Sequence, residues 1–97
     1  MITSKQRASL KALAVNIEPI FQIGKEDMTE NIIEAIDKAL SARELIKISI
    51  LQSSTINGKT LVNELASVLK AEPVACIGRK MIIYRKSCKK GVKHIEF

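Results

Sequence analysis

Apolar and polar residues recur along this chain with two periods, 3.6 and 2, and the switches between them mark its elements. From residue 3 to 15 the spacing predicts a basic amphipathic helix. Leu10, Leu13, Ala14 and Ile17 fall on one stripe, Lys5, Arg7 and Lys11 lie off it, and Thr3 and Ser4 are available as caps. Glu18 and Pro19 end that pattern, and Ile20, Phe21, Gln22 and Ile23 read as a short strand stopping at Gly24. A second helix is predicted from about Met28 to Ala42, with Ile32, Ile33, Ile36 and Leu40 on one face. Asp27 and Glu30 have the spacing of a capping box at its start.

Residues 45–51 alternate as a strand whose second face carries Lys47 and Ser49, so one side of the sheet is expected to stay partly open. After a polar turn over 52–57, Leu61, Val62, Leu65, Val68 and Leu69 mark a third helix that ends before Pro73. Residues 74–77 and 81–84 then form two short strands around Gly78 and Arg79, a Gly-first pair suited to a two-residue hairpin. The predicted class is α/β: an N-terminal helix followed by β-α-β-α-β-β. Its sheet is small, mixed and four-stranded, packed with helices, and the hairpin supplies its antiparallel part.

Ninety-seven residues leave room for one domain, set at residues 1–86, with a basic tail over 87–97 that need not fold. At 46% hydrophobic residues the chain can build a core, yet no apolar run reaches the length of a membrane span. Lys5, Arg7 and Lys11 interrupt the N-terminal stretch that a signal peptide would need, so the reading is of a cytoplasmic, monomeric chain. Cys76 and Cys88 have no spacing that supports a disulfide, and with His94 they are too few for a zinc site. No metal and no cofactor are expected.

Net charge is +6, unevenly spread. Residues 16–42 hold six of the ten acids, whereas residues 73–97 hold seven of the sixteen bases and a single acid. Basic ends around an acidic middle point to a polyanionic partner, nucleic acid first. The nearest approach to an enzyme motif, Ser53 through Thr60, resembles a phosphate loop but has Ser53 where close wrapping needs glycine, and no later strand ends in a carboxylate for magnesium. With one histidine in the tail, no nucleophile has a positioned base. The chain therefore reads as no enzyme, with no small-molecule substrate.

Five segments in combination carry more. Phe21-Gln-Ile-Gly-Lys25, Thr29-Glu-Asn31, Ala35-Ile-Asp-Lys-Ala-Leu40, Ala42-Arg-Glu-Leu-Ile-Lys47, and Ile77-Gly-Arg-Lys80 with Tyr84-Arg85 resemble the CRM domain, the family named for chloroplast RNA splicing and ribosome maturation. The resemblance spans residues 3–86. It implies a fold similar to the C-terminal domain of bacterial initiation factor three, and non-catalytic binding of RNA, in stand-alone bacterial members the rRNA of large-subunit precursors during ribosome assembly. The family loop Gly-Lys-x-Gly is matched here at Gly24 and Lys25, but Asp27 replaces its second glycine beside Glu26, and both carboxylates repel a phosphate. RNA contact is thus expected to lean on Arg43, Lys47, Arg79, Lys80 and Arg85, with Lys5, Arg7 and Lys11 adding sequence-independent affinity. The scarcity of aromatics favours recognition of shape and phosphate. Two other readings are a different ribosome-associated RNA chaperone and a protein-interaction module without RNA affinity.

Overall fold

The computed structural model describes residues 2–24, 29–51 and 57–86. Each helix starts at a short polar side chain that takes up a free backbone N–H. Thr3 caps α1 (Ser4–Ala14) in a reciprocal box: the Gln6 N–H donates to Thr3 Oγ1 at 3.1 Å, and the Thr3 N–H donates to Gln6 Oε1 at 2.9 Å. Asn57 caps α3 (Gly58–Leu69), and Thr29 caps α2 (Glu30–Arg43). The α2 cap is thus two residues later than the Asp27 box predicts, because the hydroxyl that meets the first free N–H, that of Ile32, belongs to Thr29. Asp27 itself lies outside the described residues.

Four strands, β1 (Phe21–Ile23), β2 (Leu45–Ile50), β3 (Glu72–Ile77) and β4 (Lys80–Tyr84), form one sheet in the order β1-β2-β4-β3. β1 lies parallel to β2, and both β2–β4 and β3–β4 are antiparallel, which gives the mixed sheet expected from the sequence. β3 begins at Glu72, earlier than predicted, and includes Pro73. This is tolerated because β3 is an edge strand with a register shift between Pro73 and Ala75, where a missing N–H breaks no ladder. Ile77 pairs with Lys80 across Gly78 and Arg79, and of these two only Gly78 has a positive φ, +59°, as a type II′ turn requires.

Period-two alternation sends the two faces of β2 to different cores. Ile46, Ile48 and Ile50 join Ile36 and Leu40 of α2, Leu61, Val62, Leu65 and Leu69 of α3, and Met81 and Ile83 of β4. Leu45 joins Leu10 and Ala14 of α1, Val74, Ile82 and Tyr84. α1 therefore packs on the face that carries Lys47 and Ser49, and α2 with α3 covers the other. Two residues of the predicted stripes are exposed, Leu13 at 44% and Val68 at 63%, and Ile17, Ile32 and Ile33 are half-buried. A helix packed on one side only buries a stripe narrower than its apolar pattern.

Two local constraints fix how the layers close. A Cβ added at Gly58 would overlap Cys76 Sγ and lie 3.2 Å from Ile50 Cδ1, so the first turn of α3 approaches the sheet where only glycine fits. This packing accounts for the glycine of the phosphate-loop lookalike. At the end of α2, Glu44 takes φ +65°, ψ −47°, near the strained γ-turn region, and is fully buried. Its N–H donates to the Leu40 carbonyl at 2.8 Å and its own carbonyl accepts from the Arg85 N–H at 2.9 Å, tying the helix end to both central strands.

Replacing Gly58 by Ala is expected to cost about 1–3 kcal/mol in urea unfolding, outweighing the gain in helix propensity, and Cys76→Ala should restore part of it. Tyr84 supplies a pH readout. Burial, and then the nearby Glu44 charge, raise its phenol above the ordinary value of 10.0. A raised acid contributes stability that is full below the unfolded pKa and is lost as pH rises through the folded one. As Tyr84 is the only tyrosine, phenolate absorbance should develop above the usual range, and Tyr84→Phe should remove that part of the alkaline decline in stability.

Candidate nucleic-acid interface

The basic positions singled out in the sequence separate into three places in the fold. The first is a recess of about 180 Å³ on the α1 face of the sheet, lined by Lys11, Val15, Lys47, Ile77, Lys80 and Ile82. Its construction follows from spacing. Lys11 and Val15 lie one turn apart on α1. Lys47 stands opposite Ile82 in the β2–β4 register and Ser49 opposite Lys80, so Lys47 and Lys80 are diagonal neighbours on one face. Ile77 sits beside Lys80 across the hairpin. Three lysines from a helix and two strands thus border one recess, their stems forming part of its apolar wall, and none of the residues lining it is acidic.

Lys47 is the unusual member. It is only 8% exposed, and among the described residues its ammonium makes no ion pair or hydrogen bond. Its aliphatic stem is covered by its neighbours, while its ammonium is not among the buried side-chain atoms that lack a partner. Lys5, exposed, and Arg7, half-buried, extend the basic surface along α1 away from Lys11, and Arg7 Nε is buried without a hydrogen-bond partner.

The second place is the neighbouring end of the sheet. The Leu51 N–H donates to the Ile23 carbonyl at 2.7 Å, the Arg79 guanidinium donates to the Leu51 carbonyl at 3.1 Å, and the Ile50 N–H donates to the Arg79 carbonyl at 2.6 Å. Gly24, which is buried and follows Ile23, therefore shares this end with the Gly78-Arg79 turn and with Lys80. Lys25, Glu26 and Asp27 lie outside the described residues.

The third place is the opposite end, beyond Leu45, five residues back from Ile50 along β2, or about 17 Å at the rise of a strand. Arg43 is exposed there as the last residue of α2. Arg85 is turned inward. Its guanidinium donates to Asp37 Oδ1 at 2.6 Å, the Leu69 carbonyl at 2.9 Å, the Asp37 carbonyl at 2.8 Å and Ser41 Oγ at 2.9 Å, and its side chain is 19% exposed. With these hydrogen bonds committed to α2 and α3, Arg85 holds the layers together instead of presenting charge outward. Arg43 and Arg85 do not join the recess.

The other side of the sheet is mixed in charge. Opposite α1, a groove of about 520 Å³ between α2 and α3 is lined by Glu30, Glu34 and Asp37 together with Lys70 and Arg85, and Lys38 is paired with Glu34 at 3.4 Å. The recess on the α1 face has three lysines and no acid in its lining. Among the described residues, no group of three or more His, Cys, Asp or Glu could hold a metal ion, and no helix is long and apolar enough to cross a membrane. The apolar members of the recess, Val15, Ile77 and Ile82, do not stand out in sequence. Register alone brings them beside the lysines.

Comparison with known proteins agrees with this architecture. The model of the CRS1/YhbY (CRM) domain matches residues 2–85. The chain is 38% identical over 96 residues to YqeI of Bacillus subtilis, named a probable RNA-binding protein, covering 99% of this chain and 98% of that one. It is 30% identical over 86 residues to an RNA-binding protein of Haemophilus influenzae, covering 89% and 87%. The solution structure of the Staphylococcus aureus protein SAV1595 superimposes with a TM-score of 0.78 at 44% identity, over 93% of this chain and 94% of that one.

The inward role of Arg85 is directly measurable. Arg85→Ala should lower unfolding stability by about 2–4 kcal/mol, since it strands partly buried acceptors. Arg85→Lys should recover less than half of that, because an ammonium cannot reproduce the planar fork.

Proposed function

The chain belongs to the CRS1/YhbY (CRM) domain family, and on that premise we propose that it is a non-catalytic RNA-binding protein acting in the cytoplasm on rRNA of large-subunit precursors. The observation that carries the reading is the recess bordered by Lys11, Lys47 and Lys80, with no acidic residue in its lining. Lys47 and Lys80, at the diagonal spacing of a sheet, about 7 Å, repel by about 2 kcal/mol at the dielectric of a protein surface. A phosphate group relieves that repulsion and supplies the missing counter-charge. The names of the relatives, RNA-binding proteins in Bacillus and Haemophilus, support RNA as the polyanion.

In this reading the α1 face lies against the RNA backbone. Lys80 and Arg79 extend the contact toward Gly24, and Lys5 and Arg7 extend it along α1. The α2 side, mixed in charge, faces away, which gives the protein a single orientation on its target. Arg43, at the far end of β2, contributes at most a peripheral phosphate contact, and Arg85 contributes through stability alone.

Replacing Lys11, Lys47 or Lys80 by Gln should weaken binding to structured rRNA at every salt concentration and lower the salt slope by roughly 0.7–0.9 for each phosphate that is no longer neutralised. Lys38→Gln, on the α2 side, should change neither. An unchanged slope in all three recess variants would remove this surface as the RNA-binding face. Gradient sedimentation of a lysate separately tests the ribosomal assignment. Co-migration with large-subunit precursors is expected, and a chain found only with other RNAs would sink that assignment while leaving RNA binding intact.

A further inference from the structure

Resting on the RNA-binding reading, the geometry points to a more specific ligand: we propose that the recess receives one unpaired nucleotide, its base against the aliphatic wall and its flanking phosphates on the lysines. The walls are chemically divided. Lys11, Lys47 and Lys80 supply charge, whereas Val15, Ile77 and Ile82 supply apolar surface, and Val15 and Ile77 are 69% and 50% exposed at its rim. A phosphate alone, hydrated on most sides, gains nothing from an aliphatic wall. A base flattened against it buries apolar area on both partners.

Size points the same way. A recess of about 180 Å³ is on the scale of one base ring and smaller than a base pair. The recess is bounded on one side by α1 and on the other by the sheet, so a paired stem can cross its mouth but cannot enter. A nucleotide turned out of the stem can. Lys47 lines the recess with its stem covered, and with Lys11 and Lys80 it is placed to meet the phosphates flanking such a nucleotide. This makes the site selective for a structural feature of RNA, an extruded nucleotide, and its lysines, which only donate, favour a base whose edge offers acceptors.

The test uses the full chain and three RNA hairpins sharing one stem: fully paired, with a single bulged nucleotide, and with that nucleotide abasic. The bulged RNA should bind about five- to tenfold tighter than the paired one, the scale of a single base contact. The abasic RNA should fall back to the paired value, and a fluorescent adenine analogue at the bulge should change intensity on binding. Ile77→Ser and Val15→Ser, both at exposed positions, should bring the ratio of bulged to paired affinity toward one, while Val68→Ser on the opposite face should leave the ratio as it is. Equal affinities for all three hairpins, each falling with salt, would overturn the nucleotide site and leave the RNA-binding reading standing. Absence of salt-dependent binding to any of them would overturn that reading itself.

Discussion

The antiparallel pairing of β2 with β4, from Leu45 opposite Tyr84 to Ser49 opposite Lys80, is the constraint on which the other features depend. Side chains alternate with a period of two. This register therefore decides that Ile46, Ile48 and Ile50 enter the core under α2 and α3, and that Leu45, Lys47 and Ser49 face α1. A slip by one residue would drive Lys47 into the larger core and expose three isoleucines. The same register sets Lys47 diagonal to Lys80 and opposite Ile82. A single pairing thus builds both the hydrophobic layers and the recess.

What holds that register is concentrated at the two ends of the central strands. At one end Glu44, in a strained conformation at the close of α2, accepts from the Arg85 N–H, and the Arg85 side chain reaches across to Asp37, Ser41 and Leu69. At the other end the Gly78-Arg79 turn is tied to Ile50 and Leu51, and Gly58 allows α3 to press on Cys76. Strain of a few kcal/mol at one backbone position persists only where its surroundings over-determine it. Here a buried carboxylate, a phenol and a four-fold guanidinium clamp do so.

Charge is distributed unevenly between the two faces of the sheet. The α2 helix carries its acids on the side away from α1, partly neutralised by Lys38 and Arg85, and the recess on the α1 face has no acid in its lining. With three aromatic residues in the chain, the proposed contact uses lysines for the backbone and aliphatic surface for one base in place of stacked rings.

Elements, class and family were legible in the sequence because they depend on local spacing. The 3.6 and 2 periods place three helices and four strands, the Gly-first pair places the hairpin, and the five matched segments identify the CRM domain. Boundaries were less legible where a local signal has a near-equal competitor, as with Thr29 against Asp27, or where a strand tolerates proline only because it lies at an edge, as with Pro73. The site was half legible. Counting bases finds Lys11, Lys47, Lys80 and Arg85 alike, and nothing along the chain distinguishes the lysines that converge from the arginine that turns inward. That distinction belongs to the tertiary structure, because strand order and register bring residues 11, 47 and 80 together, and because four acceptors on α2 and α3 surround the one guanidinium within their reach.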